Sequence, residues 1–232
     1  FYDKNIIKLK IENQVFEKYN IDLKFNEKIS FILLPKPHFV SKKLTILSNK
    51  KNISKIGNAK IFISNNNFFL FNDIKIKNII FDKSEFNLTK KNINIFGKFL
   101  FTDPSENKLK IKNSKIFYKT LTGDVLFICK ILDGKFFYNY QKLENNLLSK
   151  NEIFNLPFTL EIQNDYFENK IFTKLNSKKI RLNIENILKY KNEIKDGLIK
   201  LSVKNNETSI NYKFDKKSLN FNSIKEGFFS GK

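Results

Sequence analysis

Much of the chain alternates apolar and polar residues one by one. In PFTLEIQ, Phe158, Leu160 and Ile162 occupy one phase and Thr159, Glu161 and Gln163 the other. KIRLNIE sets Ile180, Leu182 and Ile184 against Arg181, Asn183 and Glu185. Ile199, Leu201 and Val203 lead into the polar joint KNNE, after which Ile210, Tyr212 and Phe214 resume the pattern and Leu219 and Phe221 extend it. NINIFGKFLF gives Ile93, Ile95, Phe99 and Phe101 in the same way. A period of two is the period of a β-strand, and apolar residues on one phase mean a sheet with one solvated face. The pattern predicts a mainly β protein, a long antiparallel sheet with a few short helices.

The joints agree with that expectation. Asp133-Gly134, between two apolar runs, predicts a hairpin turn, and the Asn-rich joints SNNN and KNNE reach positive φ without glycine. Helical spacing is rarer. IENQVFEKYNI places Ile11, Val15, Phe16 and Tyr19 on one helical face ahead of the first strand. NIENILKYKNEIKDG predicts a second helix, with an Asn cap, a face of Ile187, Tyr190 and Ile194, and Gly197 as its stop. QKLENNLLSKNEIF fits a short helix or a loop equally well. No repeat of fixed period and no Pro/Gly/Ser-rich linker divides the chain, so residues 21–232 read as one elongated β-domain behind a short amphipathic helix in residues 1–20.

Composition adds charge. The formal net charge is +20, which by itself points towards nucleic acid or an anionic membrane surface. Arg181 is the only arginine, however, and the abundant Lys, Asn, Ile and Phe share A/T-rich codons. A reader of bases or phosphates uses the planar arginine fork, so nucleic acid is not the expected partner. No run approaches the roughly eighteen apolar residues of a membrane span.

Candidate chemistry is sparse. Cys129 is the only cysteine and His38 the only histidine, so neither a zinc cluster nor an intramolecular disulfide is available. Cys129 lies in the apolar run VLFICKIL and reads as inert packing. His38 sits directly after Pro37 in an expected turn, no Gly-rich phosphate loop is present, and the carboxylates form no recognisable acid/base pair. The expectation is a protein without catalytic residues, metal or cofactor.

ISFILLPKPHFVSKKLTIL breaks an early strand with two of the four prolines, Pro35 and Pro37. Proline cannot donate to a ladder and marks a strand end or edge. The stretch follows the amphipathic helix and the strand NIDLKFNEKI, and precedes a strand ending in a small apolar cluster at Ala59 to Phe71 and a ladder from Ile74 to Leu88. With an SLLPxPxL-like element at Ser30 to Phe39, this order, over roughly residues 9–103, resembles the amino-terminal region of AsmA-like proteins.

The resemblance implies a periplasmic protein anchored to the inner membrane by one helix upstream of Phe1. It implies a twisted sheet curled into an apolar groove and continuing beyond residue 232. It also implies a relation to bridge-like lipid transfer proteins of the chorein and TamB type, and a role in outer-membrane biogenesis. Phospholipid is the expected partner, and other envelope proteins are a second class of partner that the resemblance implies. The groove candidates are Phe99, Phe101, Phe158, Leu160, Ile162, Leu182, Ile184, Ile210, Tyr212 and Phe214, which share the apolar phase of successive strands. Two alternatives stay open: an envelope scaffold whose sheet is closed over by a second layer, and a basic nucleic-acid-binding module.

Overall fold

The computed structural model describes residues 3–48, 51–64, 74–100, 108–191, 194–204, 206–215, 218–223 and 230–231. Helix α1 (Lys4–Tyr19) is followed by β1 (Asp22–Phe25), β2 (Ile29–Ile32), β3 (His38–Ser48), β4 (Lys51–Ile63) and β5 (Ile76–Leu88). Helix α2 (Asn94–Leu100) then leads to β6 (Lys108–Lys119), β7 (Val125–Asn139), β8 (Glu144–Ile153), β9 (Leu156–Asp165) and β10 (Lys170–Ser177). The chain continues through β11 (Leu182–Lys191), β12 (Ile194–Val203), β13 (Asn206–Phe214), β14 (Leu219–Ser223) and β15 (Ser230–Gly231).

All fifteen strands belong to one open, curled sheet, which from β3 to β15 follows chain order, with β1 and β2 both paired to β3. Every pairing is antiparallel except β5 with β6. That parallel step requires a crossover from one end of the strands to the other, and α2 lies in the connection between the two strands.

Helix α1 forms because Ile7, Ile11, Val15 and Tyr19 recur every four residues. Those four are its buried stripe, while Phe16, assigned to that face from the sequence, is exposed. Asp3 caps the start by accepting from the Asn5 N–H at 2.8 Å. Asn20, at φ 51°, ends the helix and donates its N–H to the Phe16 carbonyl. The stripe packs on the concave face of the sheet in one cluster with Leu23, Ile46, Ile56, Ile61 and Phe81. Each such side chain contributes roughly 1.5–3 kcal/mol by leaving water.

The concave face of this half does not keep a simple period of two. In five adjacent strands two consecutive residues point outward between buried ones: Lys42-Lys43 between Ser41 and Leu44, Gly57-Asn58 between Ile56 and Ala59, Asp82-Lys83 between Phe81 and Ser84, Lys112-Asn113 between Ile111 and Ser114, and Leu132-Asp133 between Ile131 and Gly134. These insertions lie side by side, so the strands stay in register across them. Lys43, Lys83 and Asn113 take positive φ there. An extra residue bends its strand, and five aligned extras bend the sheet along a line from β3 to β7. The register shift between β7 and β8 absorbs the offset, and the registers from β8 to β15 carry no further irregularity.

Five segments depart from their sequence reading. Asp133-Gly134 is not a hairpin: its turn chemistry serves the bend inside the fifteen-residue β7. NIENILKYKNEIKDG is not a helix but most of β11 and the start of β12, because Leu182, Ile184, Asn186, Leu188 and Tyr190 also alternate and strands pair on both sides. The undecided stretch from Gln141 to Phe154 contains β8. NINIFGKFLF, expected as a strand, supplies helix α2. In KIRLNIE, Ile180 and Arg181 lie in the turn and the strand starts at Leu182. Pro35 and Pro37 do stand at a corner, between β2 and β3, where the Leu34–Pro35 bond is cis.

Candidate functional site: the open half of the concave face

Strand register places eight of the ten candidate residues on one face. Leu160 of β9 pairs with Leu175, Leu175 with Ile184, and Ile184 with Leu201. Phe158 and Ile162 lie two residues either side of Leu160, and Leu182 two before Ile184, so all share that face. Ile199 pairs with Ile210, Gly197 with Tyr212 and Lys195 with Phe214, which carries the same face through β13. Every one of these candidates is half-buried, neither sealed from water nor fully exposed. Phe99 instead belongs to α2, because residues 94–100 are helical, and Phe101 lies outside the described residues. The sequence reading missed Leu175, Leu147, Phe136 and Tyr118, which also face this side; in KIFTKLNS the consecutive Ile171 and Phe172 blur the alternation that Leu175 belongs to.

The two faces of the open half differ in chemistry. Outward, Glu161, Lys174, Glu185 and Lys200 pair across four strands as an alternating charge ladder. Lys174 Nζ donates to Glu185 Oε1 at 2.7 Å. That bond, with a second from Asn183, holds the Glu185 carboxyl below the usual carboxylate range. Inward, Tyr212 lays its ring over Gly197, where a Cβ would collide with it, and its hydroxyl donates to Asn186 Oδ1 at 2.7 Å. Burial chiefly raises the Tyr212 phenol above its ordinary value, against the lowering effect of that hydrogen bond.

A polar clasp ties α2 to the sheet. The Leu100 carbonyl accepts from Asn164 Nδ2 at 2.7 Å, Tyr166 OH at 2.9 Å and Asn145 Nδ2 at 3.3 Å. Tyr190 OH donates to Asn164 Oδ1 at 3.1 Å, so Asn164, fully buried, is satisfied on both sides of its amide. A helix ends with unpaired carbonyls, and here one of them anchors the crossover. Beneath α2 lies an apolar cavity of about 410 Å³, bounded by Ile93, Gly97 and Leu100 above and by β5–β9 below. Phe158, Leu160 and Ile162 form its β9 wall. Cys129 is part of the lining rather than sealed in a core: it is half-buried, and burial raises its thiol pKa.

His38 is buried at the start of β3, donates from Nδ1 to the Lys36 carbonyl at 2.7 Å and stacks on Phe62. These contacts give it a role in holding the proline corner. Among the described residues no group of three His, Cys, Asp or Glu side chains converges to hold a metal ion. No helix among them is long and apolar enough to cross a membrane. No family model matches the chain, and no curated protein does.

Proposed function

We propose that this is a non-enzymatic lipid-handling protein whose curled sheet shelters phospholipid acyl chains along the concave face of β9–β14. One observation carries the reading. Helix α1 closes the concave face at the amino-terminal end, yet neither described helix packs over β10–β14, and the fully buried apolar core ends at β7. An apolar face left half-open needs a covering partner, and burial is worth about 25 cal/mol per Å² whichever molecule provides it. The order of elements at the amino-terminal end, together with the curled sheet, supports the AsmA-like resemblance. With that resemblance comes the proposal of a periplasmic location, attachment to the inner membrane, a part in outer-membrane biogenesis and bridge-like lipid transfer.

The test is lipid analysis by mass spectrometry on purified wild type, Leu160→Asp and Tyr212→Asp. The proposal predicts co-purifying phospholipid in the wild type and its loss from variants that remain folded. A wild type free of lipid, with variants that unfold, would favour a scaffold instead. That second reading has its own support in the helix-closed core of β1–β5.

A further inference from the structure

The hollow under α2 has a definite cause. Across the sheet, Ile111 pairs with Gly134, Gly134 with Ser149 and Ser149 with Leu160. The middle two positions are the small ones, and the neighbouring row, Leu109, Phe136, Leu147 and Ile162, is uniformly large. The roof is small as well, because Gly97 of α2 lines the same space. Close-packed interiors do not leave such gaps. Large side chains at Gly134 or Ser149 would close this one, and the sequence omits them.

The lining also restricts what fits. Ser149 Oγ accepts from Asn151 Nδ2 at 2.8 Å, and no side-chain nitrogen or oxygen of the lining is buried without a partner. A polar cofactor would find few hydrogen-bonding groups in so apolar a lining, and water would find few partners. At about 410 Å³ the space falls within the roughly 300–1,000 Å³ of small-molecule sites. It extends over five strands, four steps of about 4.8 Å, or roughly 19 Å along the curl. On one side it ends against the closed core of β5 and β6, and the Leu100 clasp fixes its roof. On the β9 side it runs on into the half-open face through Phe158, Leu160 and Ile162.

We infer that this cavity is a dead-end binding site for one linear hydrocarbon tail, entering from β10 and stopping beneath α2. The inference rests on the reading that the open face shelters acyl chains and deepens it: the amino-terminal end of the groove stops an acyl chain, so bridge-like transfer would run along the open face from β9 onward.

The chain's only cysteine, Cys129, reports on the site from its wall. Alkylation by N-ethylmaleimide is followed by intact mass, alone, with hexadecanoic acid, and with phosphatidylethanolamine–phosphatidylglycerol vesicles. Binding of radiolabelled hexadecanoic acid is measured in parallel by equilibrium dialysis. A tail in the cavity slows alkylation of the wild type tenfold or more. Protection by the fatty acid alone assigns a free acid, and protection by both assigns a phospholipid tail. Ser149→Leu fills the floor, and in the folded variant the protection ratio falls to near one. Hexadecanoic acid that binds on dialysis without slowing alkylation, or protection that survives in folded Ser149→Leu, overturns the end stop and leaves the open-face reading standing. A wild type that binds neither probe removes both.

Discussion

Strands β3–β7 and strands β9–β14 belong to one sheet and hide their apolar faces in different ways. In the first group, paired outward residues bend the sheet along one line, and α1 fills the enclosed face until Phe39, Leu44, Ile56, Phe81 and Phe86 are sealed from solvent, with α2 roofing the cavity at its far end. In the second, unbroken two-residue alternation builds a regular meander, and the same kinds of side chain stop at half-burial. Stability and openness are thus separated along the chain. The closed half supplies the dry core a fold of this size needs, which leaves the other half free to keep an apolar surface unfilled.

The largest effect should come from a charge in the closed half. Ile11→Asp, at a position fully buried in the structure, leaves an unpaired carboxylate in a dry core and should cost roughly 4 kcal/mol or more. Ile184→Asp, on the half-open face, should cost about 1–2 kcal/mol. Thermal melts of the two variants should differ by several degrees, and equal losses would erase the distinction between the halves.

Next is the bend. A Cβ at Gly57 would lie 2.6 Å from the Lys83 carbonyl oxygen of the adjacent strand, so Gly57→Ala should cost about 1–3 kcal/mol. Asn211→Ala, on the exposed face of the regular β13, should change stability by no more than about 0.5 kcal/mol. Chemical denaturation measures both. A tolerated Gly57→Ala would mean that the aligned insertions do not hold the curl.

The clasp ranks with it or slightly below. Asn164→Ala removes the Leu100 carbonyl's best donor and the acceptor of Tyr190, a loss of about 1–3 kcal/mol felt mainly by α2. Hydrogen exchange should quicken in α2 and stay slow in α1. Uniform quickening would show that the crossover is not held locally.

A pH dependence comes last, because it is absent near neutral pH and emerges only in alkaline solution. Burial raises the Tyr19 phenol well above its ordinary value. An unfolded tyrosine ionises near pH 10, so the contribution is fully present below that pH. Above it the unfolded chain loses its proton first, and stability falls by about 1.4 kcal/mol per pH unit for one such group. Tyr19→Phe should flatten the decline between about pH 10 and 12. Tyr212→Phe, on the open half, should flatten it less, because that ring remains in contact with water.

How legible all this was depended on which half was being read. Alternation in β9, β11 and β13 predicted the shared face of the meander because no bulge shifts the register there, although Ile171-Phe172, Ile187-Leu188 and Leu198-Ile199 each put two apolar residues in succession. In the bent half the pattern Ser41-Lys-Lys-Leu44, Phe81-Asp-Lys-Ser84, Ile111-Lys-Asn-Ser114 and Ile131-Leu-Asp-Gly134 was present in the sequence. Each instance looks like a weak turn, and only alignment across neighbouring strands shows a common bend, which is why Asp133-Gly134 reads as a hairpin in the sequence alone. Asn186 to Gly197 carried helical spacing and strand alternation together, and pairing on both sides settled it as strand. The ladder-like phase of Ile93 and Ile95 was overridden by the need to cross from β5 to a parallel β6. The α2 cavity could not be foreseen, because its small residues, Gly97, Gly134 and Ser149, are far apart in sequence and meet only through register.

The most direct test of an apolar face open to acyl chains uses the absence of tryptophan from the chain. A single tryptophan is placed at Ile184, on the concave face, or at Lys200, on the outward charge ladder, and its fluorescence is titrated with phospholipid brominated on the acyl chains. The account predicts strong quenching of Ile184→Trp and little of Lys200→Trp in equally folded proteins. Equal quenching at the two positions, or none at Ile184→Trp, would contradict it.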